Sequence, residues 1–377
     1  MNIPSASSTE IGSLPAGGSP PGASSISPPD RTGSPTGSPT GSPASGVGGV
    51  PSRAAGKAGR PVRWVHGRIR NFLGATIALA ILVILLSITE STFLTAGNLK
   101  NVLVSNSSLA IVSIGMTFVL ISAGFDLSIG AMMAVSELLL YDLLKAGIPA
   151  LGAIAVVLAV GFLIGALLNG LLIGVFNVNF FVATLGSMTL LYGLVDVVTN
   201  GASQTIDSST LARLGNGTLW GVPMPIVFIV LTVTAGGTVL RWTSFGRSVY
   251  STGGNREAAR LAGVRVPLVI MAVYGIAGLC GALAGVVEAG RLASATPTAG
   301  SSIALISGAA VLLGGTSLFG GVGGVSGTVV GVGVIAVLGN GVNLLGVSNF
   351  WQNVVTGAVL IGAILLDRLQ KRGQVVH

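Results

Sequence analysis

The sequence predicts an all-α integral membrane protein with about ten transmembrane helices. Of its 377 residues, 51% are hydrophobic and only 8% are charged, whereas soluble domains carry about 25% charged residues. Its apolar residues form continuous runs of about 20, the length that a helix needs to cross a bilayer. Membrane barrels instead alternate apolar and polar residues. The 58 glycines allow helix backbones to approach closely, as they do when helices pack in lipid.

An N-terminal tail precedes the apolar part of the chain. Residues 1–65 are rich in Ser, Gly, Pro and Ala, and residues 32–43 repeat Thr-Gly-Ser-Pro three times in tandem. Such a composition buries too little apolar area to offset its chain entropy, so we expect a disordered tail. It is either dispensable or a regulatory, partner-binding segment. The first apolar run begins near Phe72, too far along the chain for a secretory signal peptide. Residues 66–370 form the predicted membrane domain.

The distribution of Lys and Arg predicts how the chain crosses the membrane. Most of the 19 basic residues lie before the first span, in the loop 241–266 or after the last span. Because such residues accumulate in cytoplasm-facing segments, this loop and both termini are predicted to be cytoplasmic, in a multi-pass protein of the plasma (inner) membrane. The clustering at span flanks also accounts for the net charge of +8 without nucleic acid. The predicted spans are 72–90, 101–123, 127–145, 148–175, 180–199, 222–241, 267–288, 303–320, 322–345 and 350–367.

The sequence contains no recognisable catalytic or metal-binding motif. Cys280 is the only cysteine, and His66 and His377 lie outside the predicted spans, so we expect no disulfide, metal or cofactor. Neither a Gly-x-x-x-x-Gly-Lys-Ser/Thr phosphate loop nor a His-Glu-x-x-His pattern occurs. We therefore predict that the chain is not an enzyme, and that any ATP it depends on is hydrolysed by another chain.

The cytoplasmic loop 243–266 contains a predicted surface helix. Asn255 is a candidate N-cap, and Glu257 falls in the first turn, where an acid is favourable. Ala258 and Ala259 favour helix, and Gly263 is a good C-terminal stop. We expect the glycines that precede Asn255 to be flexible. The loop is either an ordinary basic loop or a rigid element that transmits a push from a soluble partner.

This loop resembles the coupling loop of permeases of ATP-binding-cassette importers, in the branch that carries ribose, xylose and galactosides. The Glu-Ala-Ala sequence followed by Gly263 resembles the signature of such permeases, and Thr-Ser-Phe-Gly-Arg and Gly-Gly-Asn resemble what surrounds it. The resemblance implies that the following residues couple the permease to its ATPase: Gly246, Arg247, Gly253, Gly254, Asn255, Glu257, Ala258, Ala259 and Gly263.

Three further blocks resemble the same family and occur in the family's order. They are the Gly-Met-Thr…Gly-x-Asp-Leu-Ser-x-Gly block at 115–130, the Thr-Leu-Gly block at 181–188 and the Gly-Gly-Thr-Ser block at 314–321. Together the resemblance covers about 98–367. It departs at 304–308, where the family's Glu-Leu-Asp-Ala-Ile reads Ala-Leu-Ile-Ser-Gly, and before the Thr-Leu-Gly block, where Val-Pro-Pro-Phe reads Val-Asn-Phe-Phe. These changes bear on the identity of the solute.

Polar residues inside spans are the candidates for a solute path, and each has a structural alternative. Asp126 either caps the helix that follows it or contacts the solute. The hydroxyls near Thr184 either pack between helices or form a weakly polar wall. The two asparagines near the C-terminus share a helix face, which favours a hydrogen bond between helices. The candidate path residues are Asp126, Ser128, Thr184, Ser187, Asn340 and Asn343.

The resemblance implies an inner-membrane permease of the type II-like importer architecture, which imports a small polar solute, most simply a monosaccharide. It implies three protein partners: a cytoplasmic ATP-binding subunit, an extracytoplasmic solute-binding protein and a second permease copy. Membrane lipid surrounds the permease. Alternatives are the same architecture importing a nucleoside, an amino acid or a signalling molecule, a non-transport scaffold, and an ion-coupled secondary carrier. The last needs ionisable residues inside spans, where Asp126, Glu137 and Asp196 are the candidates.

Overall fold

A computed structural model describes residues 62–347 and positions 351, 354, 357 and 358 of the chain, with side chains from Leu73 onward. Residues 1–61 of the predicted tail and most of the predicted span 350–367 lie outside this part. The described helices are α1 (Val62–Thr89), α2 (Ala96–Ser105), α3 (Ser107–Ile121), α4 (Ile129–Lys145), α5 (Ala150–Ile164), a π-helix (Gly165–Gly170), α6 (Leu171–Gly174), α7 (Phe180–Thr199), α8 (Ser209–Asn216), α9 (Met224–Trp242), α10 (Ser244–Gly254), α11 (Arg256–Leu261), α12 (Val266–Leu292), α13 (Ile303–Leu313) and α14 (Val325–Leu344).

Extended structure within residues 62–347 is confined to two short antiparallel pairs. The strands are β1 (Gln204–Thr205), β2 (Thr218–Leu219), β3 (Val222–Pro223) and β4 (Ser294–Ala295). β1 pairs with β4, and β2 pairs with β3. Each strand has two residues, so the predicted all-α class is confirmed.

Several helices are long and apolar enough to cross a membrane. Within the described residues these are the continuous segment Ala150–Gly174 and helices α7, α9, α12 and α14, and the α2–α3 pair passes as one span bent by 49°. The predicted multi-span helical architecture is thus confirmed. The count of ten stays a prediction, because α4 has only 17 residues, three of them charged, and α13 has only 11.

Three predicted spans depart from a regular α-helix. The span 101–123 breaks at Asn106, whose side-chain amide donates to the Val102 carbonyl at 2.8 Å and so competes with backbone helix bonding. The span 148–175 contains the π-helix, a widened turn that often marks a functional position. The expectation of one helix over 303–320 is wrong: α13 ends at Leu313, because the Gly-rich sequence after it adopts positive φ angles, as at Gly315, that end a helix.

Helix α12 lies at the centre of the bundle and packs against α3, α4, α5 and the π-helix. Its backbone approaches its neighbours at glycines: a Cβ on Gly278 would overlap the Gly161 carbonyl of α5, and one on Gly281 would lie 2.8 Å from the Ile129 carbonyl of α4. In lipid the hydrophobic effect does not drive helices together, so they associate through close van der Waals packing, which these glycines allow. This packing fixes the position of α12 relative to α4 and α5.

Gly278→Ala tests this packing. The added methyl group has to push α5 away from α12, so we expect a loss of about 1–3 kcal/mol, as for other overpacked interiors, and a lower thermal midpoint of the purified protein in detergent. Gly237→Ala on α9 is the matched control, because its Cβ meets no atom within 4 Å. Equal midpoints for the two variants would contradict the packing described here.

Candidate functional site

The loop 243–266 forms two consecutive surface helices, α10 and α11. The Thr243 hydroxyl accepts a hydrogen bond from the Gly246 amide at 3.0 Å and caps α10. The Asn255 side chain accepts one from the Ala258 amide at 2.9 Å and caps α11. The predicted N-cap at Asn255 is thus confirmed. The sequence interpretation missed α10, although Thr243 before a polar first turn is the same kind of N-cap signal.

Helix α11 ends as predicted at Gly263. This residue has a φ of +85°, a conformation that costs glycine nothing and other residues more. The Val264 amide donates to the Ala259 carbonyl and the Gly263 amide to the Arg260 carbonyl, both at 3.0 Å. These two bonds form a Schellman motif, which stops the helix sharply before α12 begins.

Helix α11 presents most of its surface to solvent. Ala259 is buried, but Glu257, Ala258 and Arg260 are exposed, and Leu261 is 78% exposed. Arg260 forms a two-bond ion pair with Glu257, and its hydrogen bond lowers the pKa of the Glu257 carboxyl. The helix is therefore anchored through one small side chain and offers charged and apolar groups to a partner.

The expectation that the glycines before Asn255 are flexible is wrong for Gly253. Both Gly253 and Gly254 belong to helix α10. Gly253 is buried, and a Cβ there would overlap the Ile121 carbonyl at the end of α3. Its small size serves a close backbone contact, whereas a Cβ on Gly254 would meet no atom within 4 Å.

The end of α3 is a junction of three segments. The Ile121 carbonyl accepts a hydrogen bond from the Gly321 amide at 2.9 Å, so the loop after α13 lies against the same atom as α10. Ala123 follows with a φ of +62°, a conformation that non-glycine residues seldom adopt. A Cβ on Gly320 would lie 2.6 Å from the Ala123 side chain. This junction connects the surface helices to the segment 122–128.

Asp126 holds the start of α4. Its Oδ1 accepts hydrogen bonds from the Ser128 amide at 2.9 Å and the Ser128 hydroxyl at 2.6 Å. The Asn169 amide of the π-helix donates to the Ser128 hydroxyl at 2.6 Å. Asp126 is 1% exposed, and neither it nor Ser128 lines the cavities described below. Asp126 lies in the break between α3 and α4, whereas Ser128 occupies the N-cap position of α4. Solute contact by Asp126 stays a prediction.

The hydroxyls of α7 differ from one another. Thr184 donates to the Phe180 carbonyl of its own helix at 2.8 Å, as the packing alternative predicts. The Ser187 hydroxyl is buried and has no hydrogen-bond partner among the described residues. The outward face of α7 is apolar, with Val182 and Val197 among its exposed residues.

Asn340 and Asn98 exchange two side-chain hydrogen bonds at 3.0 and 2.9 Å, which confirms the predicted bond between helices. Asn340 and Asn343 also line a cavity of about 350 Å³ between α2 and α14. Asn343 therefore reaches a polar space, as the solute-path alternative requires. Further residues that line this cavity are Asn98, Asn101, Ser105 and Asn106.

A second cavity, of about 420 Å³, shares Ser105 and Asn106 with the first. Two carboxylates line it, those of Glu137 on α4 and Glu288 on α12. Neither acid is among the path residues that the sequence predicts. Glu137 and Glu288 are far apart in the chain, and no local pattern indicates that α4 and α12 place them in the same cavity. Among the described residues, no group of three or more His, Cys, Asp or Glu side chains forms a metal site.

These features define a membrane permease: bent and broken spans around polar cavities, with a helix pair exposed on one surface. Residues 98–364 match the family of branched-chain amino acid transport system permease components, and the chain belongs to that family. It is therefore a transport component, a multi-pass membrane protein.

Curated relatives match most of the chain. The ribose import permease protein RbsC of Escherichia coli is 39% identical over 295 residues, 77% of this chain and 92% of that one. RbsC of Bacillus subtilis is 42% identical over 299 residues, 78% of this chain and 92% of that one. The xylose transport system permease protein XylH of E. coli is 31% identical over 372 residues, 81% of this chain and 93% of that one. No solved structure matches the chain significantly.

The contact at Ile121 gives a test of the junction. Gly253→Ala forces the end of α10 away from α3, so we expect faster tryptic cleavage after Arg256 and Arg260 in the purified protein. Gly254→Ala is the matched control, because a methyl group there meets nothing within 4 Å. Equal cleavage rates for the two variants would show that α10 is not held by this contact.

Proposed function

We propose that the chain is the membrane-spanning subunit of an ATP-driven importer for a monosaccharide, and that α10 and α11 receive the movement of a separate ATPase subunit. The exposed, rigidly capped α11 is the observation that carries the proposal. A helix closed at both ends by Asn255 and Gly263 moves as a unit when a partner presses on it. Its exposed residues Glu257 and Arg260 are available for contact.

The relatives support a sugar as the solute. Two of them are named for ribose and one for xylose, whereas the family description names branched-chain amino acids. The relatives are matched over a larger share of this chain than the family model, so a monosaccharide is the better supported class. Residues 304–308 differ from the family's Glu-Leu-Asp-Ala-Ile sequence, so the relatives do not identify the particular sugar. The side chains that line this chain's cavities select it.

The proposal includes three partners. The ATP-binding subunit docks on α10 and α11 from the cytoplasm, where the tail and the C-terminus also lie. An extracytoplasmic solute-binding protein delivers the sugar to the opposite surface. A second permease copy completes the transporter in the plasma membrane. The distribution of Lys and Arg supports this orientation, and the lack of a phosphate-loop motif in the sequence supports a separate ATPase.

Two of the three candidate acids for an ion-coupled carrier, Asp126 and Asp196, do not fit that role, whereas Glu137 lines a polar cavity. Such a carrier needs ionisable groups that change partners along the path. Asp126 instead accepts two hydrogen bonds from its neighbour Ser128, which holds it as part of the fold. Asp196 is exposed on α7, away from the described cavities.

Glu257→Lys and Gly263→Pro test the coupling role. The first reverses the charge and breaks the ion pair to Arg260. The second places proline where φ is +85°, which proline cannot adopt. We expect both variants to insert into the membrane, and to lose solute-stimulated ATP hydrolysis when reconstituted with the ATPase that copurifies with the chain.

Asp142→Lys is the matched control for charge reversal, because Asp142 is an exposed acid on α4, outside the coupling helices. Stimulation should survive in this variant. Normal stimulation in both coupling variants would refute the coupling role of α11. Failure of any ATPase to copurify with the intact chain would refute the ATP-driven class itself.

A further inference from the structure

The cavity between α3, α4 and α12 has the size and lining of a binding site. Its volume of about 420 Å³ falls within the range of roughly 300–1,000 Å³ that is typical of small-molecule sites. Hydroxyl-bearing side chains line much of it. These are Ser105, Ser108, Thr296, Thr298, Ser301 and Ser302.

Glu137 is an incompletely satisfied acceptor in this cavity. Its side chain is 1% exposed. One carboxylate oxygen, Oε2, accepts a hydrogen bond from the Thr296 amide at 2.9 Å. The other, Oε1, has no hydrogen-bond partner among the described residues. Because buried carboxylate oxygens are almost always hydrogen-bonded, the free Oε1 indicates a donor that the protein itself does not supply.

The opposite wall carries a second acid, Glu288, whose two oxygens are both bonded. Glu288 accepts a hydrogen bond from the Ser108 hydroxyl at 2.6 Å and pairs with Arg291 at 2.6 Å. Glu288 is thus satisfied on both oxygens, in contrast to Glu137. No Lys, Arg or His lines this cavity among the described residues, so an anion finds no positive charge there to pair with. A neutral ligand with several hydroxyl groups can donate to Glu137 and exchange hydrogen bonds with the surrounding hydroxyls.

The cavity also contains one position where the family resemblance leads us to expect an acid. Ile306 stands in place of the Asp of the Glu-Leu-Asp-Ala-Ile sequence, and it lines this cavity. Ala304, in place of the Glu, is buried nearby on α13. The carboxylates that line this cavity come from α4 and α12, and α13 contributes none.

We propose that this cavity is a transient binding site for one uncharged monosaccharide, whose hydroxyl group donates to Glu137 Oε1. This proposal rests on the proposed import function. It adds that the sugar binds in this cavity, that Glu137 accepts a hydrogen bond from it, and that anionic sugars are excluded. Glu137 acts as the acceptor that distinguishes a neutral polyol from a sugar acid or sugar phosphate.

Cysteine labelling tests the site directly. Cys280 is the only cysteine in the chain and is buried, so Ser302→Cys, at an exposed edge of the cavity, provides a single accessible thiol. We expect D-ribose, D-xylose or D-allose to slow its modification by a membrane-impermeant methanethiosulfonate in nanodiscs. D-ribose 5-phosphate should give no protection, because no basic side chain among the described residues lines the cavity to pair with its phosphate.

Glu137→Gln in the same background keeps an oxygen for the Thr296 amide but replaces the free oxygen Oε1 by an amide group that donates. We expect the sugar concentration for half-protection to rise about tenfold, as is typical of losing one hydrogen bond. Asp142→Asn is the matched control, because it neutralises an exposed acid of the same helix outside the cavity. Its half-protection concentration should equal that of the parent.

Two results would overturn the proposal. Absence of protection by every neutral sugar would show that the cavity holds only water, and unchanged protection in Glu137→Gln would show that Glu137 is not the acceptor. ATP-driven uptake by the unsubstituted protein separates this failure from that of the proposed function. Uptake without protection refutes the site alone, whereas protection without ATP-driven uptake supports the site and refutes the import function.

Discussion

The close approach of helix backbones around α12 is the constraint on which the rest of the structure depends. Lipid is as apolar as the helix surfaces, so the bundle is held by close packing and hydrogen bonds between helices. Gly278 and Gly281 allow α5 and α4 to lie against α12. α12 begins just after α11 and carries Glu288 near its other end, so one closely packed helix joins the surface that carries α11 to the polar cavity.

Helix α3 provides a second connection between the same two places. Its last residue, Ile121, contacts α10 and Gly321 through its carbonyl. Ser108, in its first turn, donates to Glu288 of α12. Under the proposed function, a movement of α10 and α11 is transmitted to the cavity through α3 and α12. Because the helix breaks at Asn106, α2 can move independently of α3. Close-packed interiors transmit such movement because they deform little.

The sequence predicts most of the fold and part of the site, for physical reasons. Apolar runs and the caps at Asn255 and Gly263 are local signals, and the structure confirms them. The packing of Gly253 against Ile121 and the meeting of Glu137 with Glu288 in one cavity are tertiary contacts between distant segments, which no local pattern reveals. The end of α13 was misplaced because hydropathy averages across glycines whose backbone angles end a helix.

Uptake with a controlled energy source separates an ATP-driven importer from an ion-coupled carrier. Proteoliposomes would contain the chain with its copurifying ATPase and receive the solute-binding protein and radiolabelled D-ribose, D-xylose or D-allose. We expect accumulation that requires ATP at the cytoplasmic face and that persists when ionophores collapse all ion gradients. Accumulation that ionophores abolish while ATP is present, or that an ion gradient drives without ATP, would contradict this expectation.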